Sequence, residues 1–280
     1  MTGRIAGVVG WPVAQSLSPV IHNYWLTTHN IDGFYVPLPI APENFSRCAS
    51  ALPLMGFAGV NVTVPHKQAA AALSQTLDPD AVATGAVNLL VFDGNQIAGH
   101  NTDVQGFGDA LRESLPIREL STGPAVVLGA GGAARGIVLA LYRAGFREIR
   151  IVNRTPEHAA EVADKFRSLV DCRVFAWGDW VTAFAGARLL VNTTSLGMKG
   201  KSPFQVPLDA LPPDAAVADI VYNPVRTELL SAAADAGHRT MDGLGMLMHQ
   251  AAPAFEAWFG IHPQVTPELR GLLLEALHRD

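Results

Sequence analysis

The stretch that decides the fold is AVVLGAGGAARGIVLALYRAGFREIRIVNRT, residues 125–155. It opens with four apolar residues, a length and composition typical of a buried parallel strand. Three glycines follow, and a helical pattern then runs from Ala133 to Ala144 and stops at Gly145, which predicts a glycine C-cap. A second apolar run at residues 149–152 completes a βαβ unit of the usual size. This half of the chain is therefore predicted to be an α/β structure with a parallel sheet.

The glycine loop has the features of a phosphate-binding turn. It reads Gly-Ala-Gly-Gly-Ala-Ala, so Ala134 replaces the third glycine of the usual GxGxxG pattern. A phosphate can approach backbone N–H groups where no Cβ intervenes, and the helix dipole favours its charge. A tight strand-to-helix turn also needs glycine for steric reasons alone. The flanking strand and helix favour a dinucleotide site, formed by Gly129, Ala130, Gly131, Gly132 and Ala133.

The end of the second strand indicates which dinucleotide binds. NAD sites usually place Asp or Glu there to accept a hydrogen bond from the ribose 2′-hydroxyl. This chain has Asn153, Arg154 and Thr155 instead, with no carboxylate before Glu157. A carboxylate would repel a 2′-phosphate, whereas a guanidinium can pair with it. Arg154 could instead be an ordinary solvated residue at a strand end, but together with the glycine loop the motif predicts NADP as the cofactor.

Composition narrows the class of protein. The 280 residues carry a formal net charge of −5, with a pI near 6.0 and scattered basic residues. We therefore expect no nucleic-acid or membrane partner. No apolar run is long enough to span a bilayer, and the N-terminus lacks a signal-peptide pattern. Cys48 and Cys172 lack metal-ligand spacing, so we expect no metal site and two buried thiols in a reducing cytoplasm.

The order of strand and helix patterns predicts a two-lobed protein. Residues 1–104 are expected to form an α/β domain, and residues 105–242 a Rossmann-like domain entered through the loop at residues 121–124. The helical tail, residues 243–280, is expected to return to the first domain.

Polar residues follow the predicted strands of the first domain, where ligands of doubly wound sheets bind. Ser16 and Ser18 lie at a helix start, where hydroxyls and free N–H groups suit a carboxylate, although Ser18 could simply cap the helix. Lys67 could be an ordinary first-turn lysine and Asp103 an ordinary N-cap. A lysine and an aspartate in one cleft would also form a proton relay for alcohol oxidation, and spacing leaves both readings open.

Nine motifs in order carry a family resemblance. They are SLSPVIHN at 16–23, NVTVPHK at 61–67, GAVN at 85–88, NTD at 101–103, GAGGAAR at 129–135, NRT at 153–155, NTTSLGM at 192–198, DIVYNP at 219–224 and DGLGMLMHQAAPAF at 242–255. From residue 10 to about residue 272 the sequence resembles the shikimate dehydrogenase family. The resemblance implies an NADP-dependent oxidoreductase of the aromatic amino-acid (chorismate) pathway, which interconverts 3-dehydroshikimate and shikimate.

The resemblance also implies roles for residues that match the motifs. Ser16 and Ser18 match residues that bind the substrate carboxylate, and Thr63, Asn88 and Gln250 match residues that hold ring hydroxyls.

Further matches concern catalysis and the cofactor. Lys67 and Asp103 match the catalytic pair, with Lys67 as the proton-transfer group, and Tyr222 lies near the meeting point of substrate and nicotinamide in the family. The remaining cofactor positions are Thr193, Ser195, Gly243 and Met246.

Four residues depart from the family pattern: Gln15, His66, Leu89 and His100. Leu89 and His100 flank matched substrate residues. They could shift the substrate preference towards quinate or another hydroxylated cyclic acid, or they could have no effect on it.

A non-catalytic sensor of NADP and metabolite is a further alternative, against which the retained Lys67 and Asp103 argue. Both a monomer and a homodimer are compatible with the sequence.

Overall fold

The computed structural model describes residues 4–202 and 204–279. The outermost ends of the predicted domains, at residues 1 and 280, lie outside this range. The described chain divides into two compact units. One contains the residues up to Thr102 and those from Met248 onward, and the other contains Asp103–Leu247. The predicted domain bounds themselves stay a prediction.

The described residues of the first unit form a six-stranded mixed sheet with helices. In chain order the elements are β1 (Arg4–Gly10), α1 (Ser18–Thr28), β2 (Gly33–Pro39), α2 (Phe45–Ala51), β3 (Phe57–Val62), α3 (Lys67–Leu73), β4 (Thr76–Leu77), α4 (Pro79–Thr84), β5 (Leu89–Asp93) and β6 (Gln96–His100). The strand order is β2-β1-β3-β5-β6-β4. The strands β2, β1 and β3 run parallel, whereas β5 is antiparallel to both β3 and β6. The turn dipeptide Asp93-Gly94 predicts a hairpin at this point, and the antiparallel pairing of β5 and β6 confirms it.

The second unit is built on a parallel sheet. Its elements are α5 (Asp103–Ser114), α6 (Ile117–Leu120), β7 (Ala125–Leu128), α7 (Gly132–Arg143), β8 (Glu148–Asn153), α8 (Pro156–Phe166), β9 (Asp171–Ala176), α9 (Trp180–Phe184), β10 (Leu189–Asn192), β11 (Ala216–Asp219), α10 (Glu228–Asp235) and β12 (Arg239–Met241). The strand order is β12-β11-β10-β7-β8-β9, and every pairing is parallel. The predicted Rossmann-like arrangement is confirmed.

Two C-terminal helices follow, α11 (Gly243–Phe259) and α12 (Pro267–Arg279). The boundary between the units falls within α11, and the residues of both helices from Met248 onward belong to the first unit. The indole Nε1 of Trp258 donates a hydrogen bond to the carbonyl oxygen of Leu90, at 3.1 Å. Gly59 leaves room for this contact, because a Cβ at that position would overlap the indole and the same carbonyl oxygen. The predicted return of the tail to the first lobe is therefore confirmed.

Local predictions needed a few corrections. The sequence pattern predicts a single helix from Pro42 to Leu52, whereas the structure has a 3₁₀ turn at Pro42–Asn44 followed by α2. Helix α8 was not predicted, although Pro156 at its first position is a typical start. Both thiols are half-buried instead of buried. Gly145 has the positive φ (105°) expected of a residue that ends a helix. No helix in the described chain is long and apolar enough to cross a membrane.

Candidate active site

The serine loop lies between β1 and α1. Ser18 is the first residue of α1 and is buried, and its backbone N–H donates to the Ser16 hydroxyl oxygen at 3.3 Å. The N-cap position belongs to Leu17, and no side chain caps this helix. Ser18 is therefore not the capping residue that the sequence left as an alternative. Both hydroxyls lie at a helix N-terminus, where the dipole favours an anion.

Asn88 and Gln250, far apart in sequence, meet in a buried hydrogen-bonded cluster with Thr102. Asn88 Nδ2 donates to Thr102 Oγ1 at 2.9 Å and to Gln250 Oε1 at 3.3 Å. In return the Thr102 backbone N–H donates to Asn88 Oδ1 at 2.7 Å, and the Thr102 hydroxyl donates to the Gln250 carbonyl oxygen at 2.8 Å. All three residues are buried. Sequence analysis assigned no role to Thr102, although it stands inside the NTD motif.

Thr63 and Lys67 follow β3. The Thr63 N–H donates to the Val9 carbonyl oxygen at 2.9 Å, which joins the ends of β1 and β3. Lys67 begins α3 and is half-buried, and its carbonyl oxygen accepts a hydrogen bond from Val87 at 3.0 Å. The start of α3 is thereby held beside the residue that precedes Asn88. This placement differs from that of an exposed first-turn lysine.

Asp103 is the first residue of α5 and is buried. The helix starts one residue earlier than predicted. Asp103 directly follows Thr102, whose backbone and hydroxyl are bound in the Asn88 cluster. Lys67 belongs to the first compact unit and Asp103 to the second.

The structure gives a physical reason for one departure from the family pattern. His66 is buried and stacks on Phe45 with ring centroids 4.6 Å apart. Its Nε2 lies 2.8 Å from the Ile40 carbonyl oxygen, so this nitrogen carries a proton and donates it. Burial lowers the pKa of His66, and the hydrogen bond to Ile40 opposes that effect. The His66 imidazole thus packs on Phe45 as an aromatic ring would, and its lowered pKa favours the neutral form.

Two other departures, Leu89 and His100, are paired with each other across β5 and β6. Leu89 is buried, whereas the His100 ring is partly exposed, with Nδ1 3.6 Å from Asp78 Oδ2. Burial alone would raise the pKa of Asp78, but the nearby His100 imidazole and hydrogen bonds from the backbone N–H groups of Ala81 and Asn101 hold it below the ordinary value. His100 therefore supports the segment that leads into Thr102. The fourth departure, Gln15, lies exposed in a turn.

The glycine loop of the second unit forms an open cradle. Gly129 has a φ of 102°, and a Cβ there would lie 2.9 Å from Thr193 Oγ1. Positions 131 and 132 are different, because a Cβ on either glycine would have no atom within 4 Å. Helix α7 begins at Gly132 and no side chain caps it, so its first N–H groups face this open space. The chain thus fits a dinucleotide pyrophosphate at this turn.

The residues at the end of β8 suit the 2′-phosphate of NADP. Asn153 ends β8, and its Nδ2 donates to the Thr155 carbonyl oxygen at 2.8 Å. Arg154 is exposed, and no carboxylate stands at the strand end. An exposed guanidinium in this position suits NADP better than NAD.

Loops after β10 and β11 line the other predicted cofactor positions. The Thr193 hydroxyl donates to the Leu128 carbonyl oxygen at 2.7 Å, and Ser195 is exposed. Tyr222 is half-buried, and burial raises the pKa of its phenol. At the start of α11, Gly243 lies so close to the Ile220 carbonyl oxygen that a Cβ would overlap it, and Met246 is largely buried.

A buried carboxylate joins these loops, and sequence analysis assigned it no role. Asp219 accepts hydrogen bonds from Asn192 Nδ2 at 3.0 Å, from the Val221 N–H at 3.0 Å and from the Thr227 hydroxyl at 2.8 Å. Burial raises the pKa of Asp219 to about 6, and the three hydrogen bonds oppose that rise. A charged residue at the end of an otherwise apolar strand was the signal that could have identified it.

The fold defines an α/β protein with a dinucleotide-binding Rossmann-like unit, and the buried polar residues of the other unit form a candidate ligand site. Three family profiles match the chain: the shikimate dehydrogenase substrate binding domain at residues 8–90, the shikimate / quinate 5-dehydrogenase at 112–195, and the shikimate 5′-dehydrogenase C-terminal domain at 243–267. The chain belongs to the shikimate dehydrogenase family.

Individual relatives agree with this assignment. Shikimate dehydrogenase (NADP(+)) of Paramagnetospirillum magneticum is 51% identical over 273 residues, which are 97% of this chain and 98% of the relative. The structure is similar to shikimate 5-dehydrogenase from Thermus thermophilus in complex with NADP(H) and shikimate, with a TM-score of 0.86, 35% identity and 99% of both chains covered. It is also similar to quinate dehydrogenase from Corynebacterium glutamicum in complex with NAD, with a TM-score of 0.90, 29% identity, and 98% of this chain and 99% of that chain covered.

Proposed function

We propose that the protein is an NADP-dependent shikimate dehydrogenase that interconverts 3-dehydroshikimate and shikimate in the aromatic amino-acid (chorismate) pathway. The observation that carries this proposal is the buried cluster of Asn88, Thr102 and Gln250. It brings polar groups of two neighbouring loops together with Gln250, which lies 162 positions from Asn88, as a substrate with several hydroxyls requires. The glycine cradle and Arg154 supply the matching NADP site.

Different residues are proposed to bind the carboxylate and the hydroxyl groups of the substrate. In this proposal Ser16 and Ser18 donate hydrogen bonds to the substrate carboxylate at the start of α1. Thr63, Asn88 and Gln250 hold the ring hydroxyls, and Tyr222 approaches the substrate beside the nicotinamide. A site built to hydrogen-bond specific hydroxyls rejects analogues that lack them, because its own polar groups would be left unpaired.

Proton transfer is assigned to Lys67 and Asp103. During oxidation of shikimate, Lys67 takes the proton from the reacting hydroxyl, and during reduction it returns a proton to the carbonyl oxygen. Asp103 orients the lysine and tunes its pKa. NADP, when bound, supplies the redox chemistry. The residues proposed to hold it are Gly129, Ala130, Gly131, Gly132, Ala133, Asn153, Arg154, Thr155, Thr193, Ser195, Gly243 and Met246.

The test is the change in nicotinamide absorbance with purified protein, with NADP and NAD each paired with shikimate and with quinate. Turnover with NADP and shikimate, far above the other three pairs, is the expected result. Turnover only with quinate would overturn the proposed substrate and give Leu89 and His100 a role in substrate specificity. Turnover only with NAD would overturn the proposed cofactor and the role given to Arg154. Absence of turnover in a folded protein that binds NADP would favour the sensor.

Two further properties stay predictions. The protein is expected in the cytoplasm as a monomer or a homodimer, with shikimate or 3-dehydroshikimate as its small-molecule partner. Light scattering of the purified protein decides between the two assembly states.

A further inference from the structure

Two neighbouring strands of the second unit end in a buried amide and a buried carboxylate. Asn192 ends β10 and Asp219 ends β11, and the parallel register of the two strands pairs these residues. Both are fully buried, and Asn192 Nδ2 donates a hydrogen bond to Asp219 Oδ1 at 3.0 Å. Burial of a carboxylate is costly unless it is hydrogen-bonded, so the contacts of Asp219 determine the geometry of this end of the sheet.

The Asp219 carboxylate is held on both of its oxygens. Oδ1 also accepts a hydrogen bond from the Val221 N–H at 3.0 Å, and Oδ2 accepts one from the Thr227 hydroxyl at 2.8 Å. Thr227 is itself fixed, because its hydroxyl oxygen caps α10 by accepting from the Leu230 N–H at 3.3 Å. A carboxylate confined in this way presents Oδ1 to Asn192 in one direction.

The carboxylate decides which way the Asn192 amide points. Asn192 Oδ1 accepts two hydrogen bonds from Thr194, one from its N–H at 3.0 Å and one from its hydroxyl at 2.8 Å. The Thr194 hydroxyl oxygen in turn accepts from the Leu196 N–H at 3.1 Å. Because a carboxylate only accepts hydrogen bonds, Asp219 draws the NH₂ group of the amide towards itself and leaves the amide oxygen for the two donors of Thr194.

The loop that Asn192 holds lies against the glycine cradle. A Cβ at Gly129, the first glycine, would lie 2.9 Å from Thr193 Oγ1 and 2.9 Å from Thr194 Cγ2. The N–H and the hydroxyl of Thr193 both donate to the Leu128 carbonyl oxygen, at 2.9 Å and 2.7 Å. Contacts within a single unit thus connect the buried carboxylate to the turn that is proposed to bind the pyrophosphate.

We propose that Asp219 is a positioning residue of the NADP site, which acts through the Asn192 amide to hold Thr194 and its loop against the glycine cradle. This inference rests on the proposed function, because it takes Thr193 and Ser195 of the same loop to hold the cofactor. Without the carboxylate, the NH₂ group of Asn192 has lost its acceptor, and the amide can turn this group towards Thr194. The donors of Thr194 then lose their acceptor, and the loop leaves the position that the dinucleotide needs.

The first test compares Asp219→Ala with Asp219→Asn in a fluorescence titration with NADPH. We expect Asp219→Ala to raise the Kd about 10- to 100-fold, as for a lost buried hydrogen bond. Asp219→Asn keeps an oxygen that accepts from Asn192 and Val221, so its Kd should stay within about threefold. Asp235→Ala, at the exposed end of α10, is the control. An unchanged Kd in Asp219→Ala, or an equal rise in both Asp219 variants, would overturn the inference.

The KM values separate a role at the cofactor from a general loss of structure. At saturating NADP, the KM of Asp219→Ala for shikimate should change less than about threefold, whereas the KM for NADP follows the Kd. Equal rises in the two KM values would show that Asp219 only supports the fold, and would refute the proposed role.

The second test is a double-mutant cycle with Thr194→Val, which removes the hydroxyl and keeps the shape of the side chain. If Asp219 acts through Asn192 and Thr194, the double variant raises the Kd for NADPH by much less than the product of the two single effects. Independent, multiplying losses would refute the inference. Thr194→Val leaves the buried carboxylate in place, so an unchanged Kd in this variant alone overturns the inference even where Asp219→Ala does not fold.

Hydrogen exchange of the protein without cofactor gives a third readout. In Asp219→Ala, the peptide that covers Thr194 and Leu196 should exchange at least about 10-fold faster, because both N–H groups depend on the Asn192 arrangement. Peptides from β8 and α8 should keep their rates, and faster exchange throughout the unit would contradict the proposal. A wild-type protein that does not bind NADPH would overturn the proposed function together with this inference. A wild type that binds NADPH, with unaffected Asp219→Ala and Thr194→Val variants, would overturn the inference alone.

Discussion

The role proposed for Lys67 depends on the surroundings of this residue in the fold. Its type and position in the NVTVPHK motif are visible in the sequence, but an exposed first-turn lysine would show the same pattern. In the structure the side chain is half-buried, and its backbone accepts a hydrogen bond from Val87, which precedes Asn88 in the polar cluster. The structure thus favours the proposed chemical role over that of a solvated residue.

Lys67→Ala is expected to lower kcat for shikimate about 100- to 10,000-fold, the usual contribution of a general acid–base group. Binding of NADP should stay within about twofold, because Lys67 belongs to the other compact unit. Initial rates and a fluorescence titration with NADPH measure the two quantities. The exposed Lys165 in α8 supplies the control, Lys165→Ala. Wild-type turnover in the Lys67 variant would remove the lysine from the mechanism.

Arg154→Ala tests the choice of cofactor. We expect the KM for NADP to rise about 10- to 100-fold, the range of a lost hydrogen-bonded charge pair on a phosphate. The KM for NAD should stay nearly constant, because NAD has no 2′-phosphate. Arg167→Ala is the matched control, an exposed arginine of the same unit that is paired with Asp164. Equal losses for NAD and NADP would instead make Arg154 a structural residue.

At the scale of elements, the packing of α11 against the first sheet completes the buried polar cluster of the first unit. Helix α11 supplies Gln250 to the polar cluster, and its Trp258 bonds to Leu90 on β5. The backbone of Gly59 on β3 lies against that indole. Packing of one helix on one glycine therefore supports the position of Gln250 two turns away.

Gly59→Ala is expected to destabilise the protein by roughly 1 to 3 kcal/mol, because the added methyl group overlaps the indole and a backbone oxygen. Chemical denaturation followed by tryptophan fluorescence gives the free energy of unfolding. Gly271→Ala in α12 is the control. Its Cβ would meet open space, and alanine in a helix is worth about 0.5 to 1 kcal/mol. The two identical substitutions should thus change stability in opposite directions, and a gain at both positions would contradict the packing argument.

For the molecule as a whole, two buried ionisable groups make the compact units respond to acid in opposite ways. His22 belongs to the first unit and Asp219 to the second, and both are fully buried. Burial lowers the pKa of His22 from 6.5 to about 3, and it raises the pKa of Asp219 from 3.8 to about 6. The folded first unit thus binds fewer protons than its unfolded chain, whereas the folded second unit binds more.

In the first unit, the stability due to neutral His22 is present above pH 6.5 and is lost as the pH falls towards 3. Between pH 7 and pH 5 the loss is about 2 kcal/mol. Hydrogen exchange of peptides from β1 and β3, corrected for intrinsic rates, measures it. His22→Phe keeps the aromatic packing and should abolish the slope, whereas His262→Asn, at an exposed site, should preserve it. A slope that survives in His22→Phe would assign it to another group.

In the second unit, protonated Asp219 stabilises the fold fully below pH 4, and this contribution is lost as the pH rises through about 6. Peptides from β7 and β10 should therefore gain about 1 kcal/mol of protection between pH 7 and pH 5. Asp219→Asn removes the titrating group and should flatten this dependence. An equal gain in Asp219→Asn would contradict the assignment.

The sequence by itself determined the βαβ unit, the glycine cradle and the preference for NADP, because these depend on residues close together in the chain. The roles proposed for the glycines before α7 and for Arg154 after β8 rest on local backbone geometry and charge. The ordered motifs also indicated the family, which the comparisons confirm. The individual site residues remain proposals for the variants to test.

Only the tertiary structure decided how the polar residues combine. Tyr35 and Asn61 come from two strands, Asn88 and Thr102 from two loops, and Gln250 from a C-terminal helix. Their hydrogen bonds span up to 162 positions of sequence. No periodicity or spacing encodes such a network, because each contact depends on the sheet register and on how α11 packs. The same holds for His66, whose stacking on Phe45 makes a departure from the family pattern compatible with the fold. Local motifs depend on neighbouring residues and can be recognised in the sequence. Burial and long-range hydrogen-bond partners are determined only when the chain folds.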